Sequence, residues 1–258
     1  MIFRILFCFI LGFSASLLNA QSSYTGAQLM AAVKAARPKG DVQIRATMRQ
    51  KGKPTLQIVI KRHTSPNGDE LHLYQVLFPT ARKSEGLALR VGNGGKFSGW
   101  TYTPGGQPVS LKPTDRTTGL FGTDVLIEDL LAEFLDWPVQ EVKQHVKLGS
   151  ADCTIVESKP GGASPGNVSR VLSVMEDERL YPKKAEIFGK DGKLMRTVET
   201  QKVMRSSSGY FVPVEFSVIN AANGSRTDVS GKGLTDNLKF TDDDFSDAAL
   251  LKGVGVRD

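Results

Sequence analysis

The chain has 258 residues, of which 40% are hydrophobic and 23% are charged, and its formal net charge is +6. Lysine and arginine are scattered among acidic residues with no run of five or six like charges, which argues against nucleic-acid binding. The only two cysteines are Cys8 and Cys153, so a framework of disulfide bonds is not indicated. A chain of this length is long enough to be stabilised by a packed core alone.

The first twenty residues have the features of a secretory signal peptide. Arg4 provides a positive start, residues 5–18 are almost all apolar, and the small-residue segment LNA follows. An apolar run of about fourteen residues is short for a membrane span, so cleavage after Ala20 is favoured over a retained anchor. We expect residues 1–20 to be a cleaved signal peptide and residues 21–258 to be one exported, periplasmic domain.

Two segments have helical periodicity. In the first, apolar residues fall on one face between Ala27 and Arg37, and Pro38 stops the pattern. The second begins within TTGLFGTDVLIEDLL, residues 117–131, and is predicted to run to about Asp136. Helices are therefore few in this chain.

Almost everything else alternates between apolar and polar residues, which is typical of strands. The strand-like segments are TLQIVIKR, ELHLYQVLF, GLALRV, EVKQHVKLG, DCTIVESK, SRVLSVMED, KKAEIFG, KLMRTVETQKV and YFVPVEFSVIN. Turn sequences such as SPNGDE, PGGQP and GKDGK separate them, which predicts an antiparallel meander rather than βαβ units. The tail after Phe245 is polar and glycine-rich, and we expect it to fray.

The balance of strands and helices constrains how the sheet is covered. About ten strands spaced about 4.8 Å apart would form a flat sheet about 45–50 Å wide. Two helices, each about 10–12 Å across, cannot cover such a sheet. Its apolar face must therefore curl around the helices, leave an apolar groove, or do both.

Three carboxylates, Asp124, Glu128 and Asp129, lie close together in the second helical segment. Their spacing is compatible with a metal site or an acid–base pair, and equally with the charged first turns of a helix. On a helical wheel Glu128 and Asp129 fall opposite the apolar residues, so we expect them to face solvent. Thr123 or Asp124 is then the expected N-cap, and the acidic residues favour the helix dipole.

Other signs of catalysis or metal binding are weak. His63, His72 and His145 lack the spacings typical of zinc sites, and no nucleophile elbow or phosphate-binding loop is present. Surface or strand positions explain these histidines better than metal ligation. We therefore expect no enzyme activity, no metal and no cofactor.

Several segments in a particular order resemble a known family. These segments are LFP at residues 77–79, KSEGLALRV from Lys83, WTYTP at residues 100–104, LFGTDVLIEDL from Leu120, and YPKKAEIFGKDGKLMRT from Tyr181. Together they resemble the LolA-like outer-membrane lipoprotein-sorting proteins, in the branch of mostly uncharacterised members. The resemblance extends from about Gln57 to Phe240.

The resemblance implies an α+β fold: a strongly curved antiparallel sheet, or unclosed β-barrel, with a few helices covering its concave face. It also implies a protein without catalytic activity that carries or senses acylated or lipidic ligands between the inner and outer membranes. In the best-studied carriers a basic residue near the end of an early strand holds the lid closed. Arg62 in IVIKRH matches that residue, although His63 replaces the proline that follows in those carriers. Arg62 is thus either a lid latch or a strand-end arginine that reaches solvent.

The leading hypothesis is a monomeric periplasmic carrier that binds lipoprotein acyl chains or another lipid and exchanges them with inner- and outer-membrane transport proteins. Each candidate wall residue is either a ligand wall or ordinary core. The candidate walls and inward lid residues are Leu56, Ile58, Ile60, Leu73, Leu87, Leu89, Trp100, Leu126, Leu130 and Phe134. The alternative hypothesis is an envelope sensor or scaffold of the same fold that binds a protein partner, and an uncharacterised hydrolase is a third, disfavoured reading.

Overall fold

The computed structural model describes residues 24–37, 40–92, 96–162 and 166–253. The predicted signal peptide therefore lies outside the described residues. Over the described ranges, thirteen strands form one antiparallel sheet that curves without closing. The strands are β1 Val42–Gln50, β2 Leu56–Thr64, β3 Glu70–Phe78, β4 Gly86–Val91, β5 Phe97–Tyr102, β6 Val109–Ser110, β7 Val139–Leu148, β8 Ala151–Lys159, β9 Val168–Glu176, β10 Tyr181–Gly189, β11 Leu194–Arg205, β12 Phe211–Asn220 and β13 Arg226–Thr235.

The order of the strands explains why something must cross the curved face. The sheet runs β6-β5-β4-β3-β2-β1-β13-β12-β11-β10-β9-β8-β7, so two strands that follow each other in the chain, β6 and β7, lie at opposite edges. The connection between them, residues 111–138, therefore has to traverse the sheet. Most of this connection, residues 112–137, is called the strap below. We call the face that it covers the inner face.

The described helices are short. They are the α-helices α1 Gly26–Ala35, α2 Ile127–Leu131 and α3 Asp247–Lys252, and the 3-10 helices Thr80–Arg82, Pro113–Thr117, Leu120–Gly122, Glu133–Asp136 and Asp242–Phe245. Helix α1 lies where its periodicity predicted a helix. A capping box begins it, in which the Thr25 hydroxyl accepts from the Gln28 amide at 3.3 Å and the Gln28 side chain accepts from the Thr25 amide at 2.9 Å.

Helix α1 covers one end of the inner face. Its residues Leu29, Met30 and Val33 are buried against Val156 of β8 and Met175 of β9. Gly26 permits this close approach, because a Cβ atom at that position would collide with the backbone carbonyl of Gln140 in β7. The docking of α1 thus depends on the residue type at the first position of the helix.

The outer face of the sheet is covered as well, which the alternation in the sequence does not indicate. The C-terminal residues Phe240, Phe245 and Leu250 are buried there against β3, β4 and β5. The expectation that the tail frays after Phe245 is therefore wrong over residues 246–253, since α3 packs on the sheet. Leu250 of α3 is fully buried in this cluster.

The predicted fold class is confirmed. The sheet is antiparallel, strongly curved and unclosed, and three α-helices accompany it in the described residues. Curvature follows from the covering argument: a sheet this wide can bury its inner face against one strap and one helix only by wrapping around them.

Candidate functional site

The first part of the strap fills the inner face over one half of the sheet. Leu120, Phe121, Val125, Ile127 and Leu131 are all buried in the largest apolar cluster of the molecule. The sheet residues in this cluster come mainly from β1 to β4, β12 and β13. This half of the interior is a packed core.

Polar contacts tie the same part of the strap to the sheet. The Asp124 carboxylate accepts from the Ser225 hydroxyl at 2.6 Å and from the Thr227 hydroxyl at 3.1 Å. Arg82 donates to the backbone carbonyl of Phe121 at 3.1 Å. Asp124 is therefore an anchor to the turn before β13 and to β13 itself, rather than the predicted N-cap.

Glu128 and Asp129 do not face solvent, which corrects the helical-wheel prediction. Both side chains are 6% exposed and bind Arg196 of β11, whose side chain is 5% exposed. The distances are 2.5 Å from Arg196 Nη2 to Glu128 Oε1 and 2.7 Å from Arg196 Nε to Asp129 Oδ1. We call these three residues the Arg196 latch, because they join the strap to the sheet.

Two features of the backbone explain the error. Helix α2 ends at Leu131, and Ala132 adopts a left-handed conformation with φ 47°, so a continuous wheel to Asp136 does not apply. The N-cap residue is Leu126, whose amide donates to the Asp129 carboxylate at 2.9 Å. Asp129 thus caps its own helix while it pairs with the sheet.

Burial and charge shape the protonation of the Arg196 latch. Burial raises the pKa of Asp129, against the opposing effect of Arg196, and the neighbouring Glu128 raises it further. Burial lowers the pKa of Arg196, but Asp129 and Glu128 outweigh it and the net shift is upward. Both directions follow from two carboxylates sharing one guanidinium in a buried site.

A second buried ion pair lies within the strap. The Arg116 guanidinium donates to Glu133 through Nη2 at 2.9 Å and Nη1 at 3.1 Å. Its carbon Cζ lies 5.2 Å from the centre of the Phe97 ring on β5. This pair links the start of the strap to its end.

An apolar cavity of about 150 Å³ lies beneath the later part of the strap, over β9, β10 and β11. Phe134 and Trp137 cover it from the strap side, and both are only partly buried. The apolar sheet residues that line it are Val168, Val171, Ala185, Ile187 and Val198. The two halves of the inner face therefore differ: one is filled by the strap and the other retains space.

The candidate wall residues separate into three groups. Leu56, Ile58, Ile60, Leu87, Leu89 and Leu130 belong to or pack against the filled core under the first part of the strap. The prediction that Leu73 and Trp100 line the concave face is wrong, because they lie on the outer face with Phe240, Phe245 and Leu250. Of the predicted set only Phe134 lines the cavity, and Leu126 is partly buried at the start of α2.

Arg62 does not hold the strap in this structure. Its guanidinium lies 3.0 Å from Glu70 on the adjacent strand β3. The arginine that joins sheet to strap is Arg196, which the sequence analysis did not single out. Its strand, KLMRTVETQKV, was recognised from periodicity, but nothing local to it indicates a partner 67 residues away.

The comparisons with known proteins support the fold. A family model described as "Uncharacterized protein" matches residues 68–252. The chain belongs to that family. No curated protein sequence matches this family member.

Several solved structures have a fold similar to that of this chain. A domain from Vibrio parahaemolyticus described as outer membrane lipoprotein-sorting superposes with a TM-score of 0.81 at 16% identity, covering 87% of this chain and 97% of that one. A DUF1329 family protein from Desulfovibrio piger gives 0.80 at 18% identity, with coverage of 87% and 97%. A LolA superfamily protein from Nitrosomonas europaea gives 0.61 at 16% identity, with coverage of 87% and 98%. The resemblance to LolA-like proteins is confirmed at the level of the fold.

Among the described residues, no helix has the length and apolar character needed to cross a membrane.

Proposed function

We propose that this protein is a carrier that binds acyl chains of lipoproteins or of another lipid in the cavity under the strap. The observation that supports this is the apolar cavity between Phe134 and Trp137 on the strap and the valine, alanine and isoleucine side chains of β9 to β11. A cavity of about 150 Å³ is large enough for an apolar group about the size of benzene, and the charged side chains of Glu128 and Arg196 line part of it. The cavity as it stands therefore fits part of an acyl chain.

A complete acyl chain requires the later part of the strap to move. Burying one methylene contributes about 0.8 kcal/mol, and burying one large apolar side chain contributes about 1.5–3 kcal/mol. About two to four methylenes thus offset the exposure of one strap side chain. Phe134 and Trp137 are only partly buried already, so exposing these two side chains costs less than exposing the buried Phe121 and Ile127.

The remaining parts of the proposal concern the cellular setting. A signal peptide of residues 1–20 would deliver residues 21–258 to the periplasm as one monomeric domain. There the protein would receive and deliver its ligand at inner- and outer-membrane transport proteins, without catalysis. The lipoprotein-sorting description of the Vibrio parahaemolyticus domain supports this setting through a shared fold.

The test fills the cavity and measures lipid binding. Ala185 lines the cavity and Ala248 is exposed on α3, on the other side of the sheet. Ala185→Leu should weaken the binding of a fluorescent fatty acid by on the order of tenfold, because its three added carbons occupy the space. Ala248→Leu is the matched control and should bind as the wild-type protein does.

Native mass spectrometry of the purified protein completes the experiment. Recovery of bound lipid from wild-type protein, and less from Ala185→Leu, supports the carrier. Equal binding by both variants, or no lipid and no fatty-acid binding in any of them, overturns it. A stoichiometric envelope protein captured without lipid would instead favour the sensor or scaffold.

A further inference from the structure

An open groove adjoins the cavity at the end of the strap. It has a volume of about 640 Å³ and lies between α1, the paired ends of β2 and β3, and the junction of the strap with β7. Arg37, Leu135 and Trp137 line both the groove and the cavity. A chain-shaped ligand in the cavity would therefore have its exposed end in this groove.

Two arginines in the groove share one carboxylate. Glu70 Oε2 lies 3.0 Å from Arg62 Nη2 and 3.7 Å from Arg37 Nη1. Burial and the nearby Arg62 lower the pKa of Arg37. Burial raises the pKa of Glu70, but the hydrogen bond with His72 and the charges of Arg62 and Arg37 outweigh it and hold that pKa well below its usual range. The next charged pair, Lys34 with Asp136 at 2.6 Å, is balanced.

The remaining polar groups do not neutralise the second arginine. His72 Nε2 lies 3.5 Å from Glu70, and burial lowers the pKa of His72, so the imidazole is neutral at neutral pH. Burial raises the pKa of Tyr74, which stacks on His72, so its phenol is neutral as well. The cluster of Arg37, Arg62, Glu70, His72 and Tyr74 therefore carries one excess positive charge.

Arg62 also has an unused hydrogen-bond donor. Its Nε group is buried and has no acceptor among the residues that the structure describes. Buried donors are almost always paired in folded proteins, so an unpaired one at the rim of a groove indicates a place for an acceptor. A guanidinium with a free Nε–H suits the oxygen atoms of a carboxylate or phosphate.

We propose that Arg37 and Arg62 bind the anionic head group, a carboxylate or a phosphate, of an amphiphile whose acyl chain occupies the cavity. This inference rests on the proposed carrier function and specifies the class of lipid. The two halves of the ligand match the two halves of the site: an apolar chain meets the valine- and isoleucine-lined cavity, and an anion meets the excess positive charge at its mouth. A neutral lipid would fill the cavity and leave the Arg62 Nε–H unpaired.

The experiment compares ligands that share a chain and differ in the head group. Palmitate is compared with its methyl ester, and a dipalmitoyl phosphatidic acid with the matching diacylglycerol, by displacement of a fluorescent fatty acid. Wild-type protein should prefer each anionic ligand over its neutral counterpart by on the order of tenfold. Arg37→Gln should reduce this preference to less than about threefold, because it removes a charge that only the anionic head group uses.

Two further variants separate the head-group role from stability. Arg62→Lys retains the charge but loses the planar fork, and should weaken anionic ligands only. Arg205→Gln changes an exposed arginine at the far end of β11 and should behave as wild type. Thermal unfolding of each variant without ligand checks that all remain folded.

Each outcome has a distinct meaning. Tight binding of both palmitate and its methyl ester with equal affinity overturns the head-group inference while the carrier proposal stands. Failure of every lipid to bind overturns the carrier proposal itself. Displacement of bound palmitate by inorganic phosphate at low concentration, without any chain, would make the cluster a site for free anions and would also overturn the inference.

Discussion

Removal of Arg196 should expose how strongly the strap depends on the latch. Arg196→Met preserves much of the side-chain length but leaves Glu128 and Asp129 buried without their cation, since all three side chains are at most 6% exposed. Loss of one partner from a buried ion pair typically costs about 3–5 kcal/mol. We therefore expect the free energy of unfolding to fall by about that amount, measured by urea denaturation at neutral pH.

The triple variant Arg196→Met, Glu128→Gln, Asp129→Asn is the matched control. It removes all three charges at similar volume, so it should recover most of the lost stability, to within about 1–2 kcal/mol of wild type. Hydrogen exchange should show faster exchange of strap amides in Arg196→Met than in the triple variant. This comparison distinguishes a buried charge from a mere loss of packing.

The pH dependence gives a further check with a definite sign. A carboxyl group whose pKa is higher in the folded state binds protons on folding, so its folded form is favoured as the pH falls. Burial already raises the pKa of Asp129, and removal of Arg196 should raise it more. The destabilisation by Arg196→Met should therefore shrink between neutral pH and about pH 4. A loss below about 1 kcal/mol, or a triple variant as unstable as the single one, would refute the reasoning.

Two other predictions concern β8. Glu157 contacts Lys159 at 2.8 Å and Arg170 at 3.0 Å, and these pairs, led by Lys159, lower its pKa to about 2. The stabilising effect of Glu157 is present above the ordinary carboxylate pKa of about 4.5 and is lost as the pH falls towards 2. The stability of Glu157→Gln should therefore fall less steeply with pH over this range than that of wild type. Parallel curves of stability against pH would contradict the assignment. Cys153 is buried, and burial raises the pKa of its thiol. A thiol reagent should therefore modify it only after urea unfolding. Rapid reaction of the native protein would contradict the buried position of Cys153.

Local patterns in the sequence identified nine of the thirteen strands and the first helix, because each depends on residues within a few positions; β1, β5, β6 and β13 were not predicted. Alternation in segments such as TLQIVIKR reports one buried face. It also indicates that a wide sheet must curl around its helices or leave a groove, and the resemblance to LolA-like proteins implied the strongly curved, unclosed form. Alternation cannot say which face is inside, and both faces are covered here. Leu73 and Trp100 therefore look like wall residues in the sequence, but both lie on the outer face, where Leu73 is buried and Trp100 packs against the cluster formed with Phe240 and Leu250.

The location of free space is a property of the tertiary structure alone. Leu56 and Ile58 lie under the tightly packed part of the strap, whereas Val171 and Ala185 lie under the part that leaves a cavity. All four satisfy the same alternation rule. What distinguishes them is the local shape of the strap, which bends at Ala132 before Phe134 and Trp137.

The charges show the same division. The sequence by itself determined a short amphipathic segment rich in acidic residues after Thr123, and it left solvent as the expected surroundings of Glu128 and Asp129. Only the tertiary structure placed Arg196 beneath them, and only it brought Arg37, which follows α1, to Arg62 and Glu70 on β2 and β3. The physical reason is that electrostatic energy depends on distance and burial in space, and these partners are far apart along the chain.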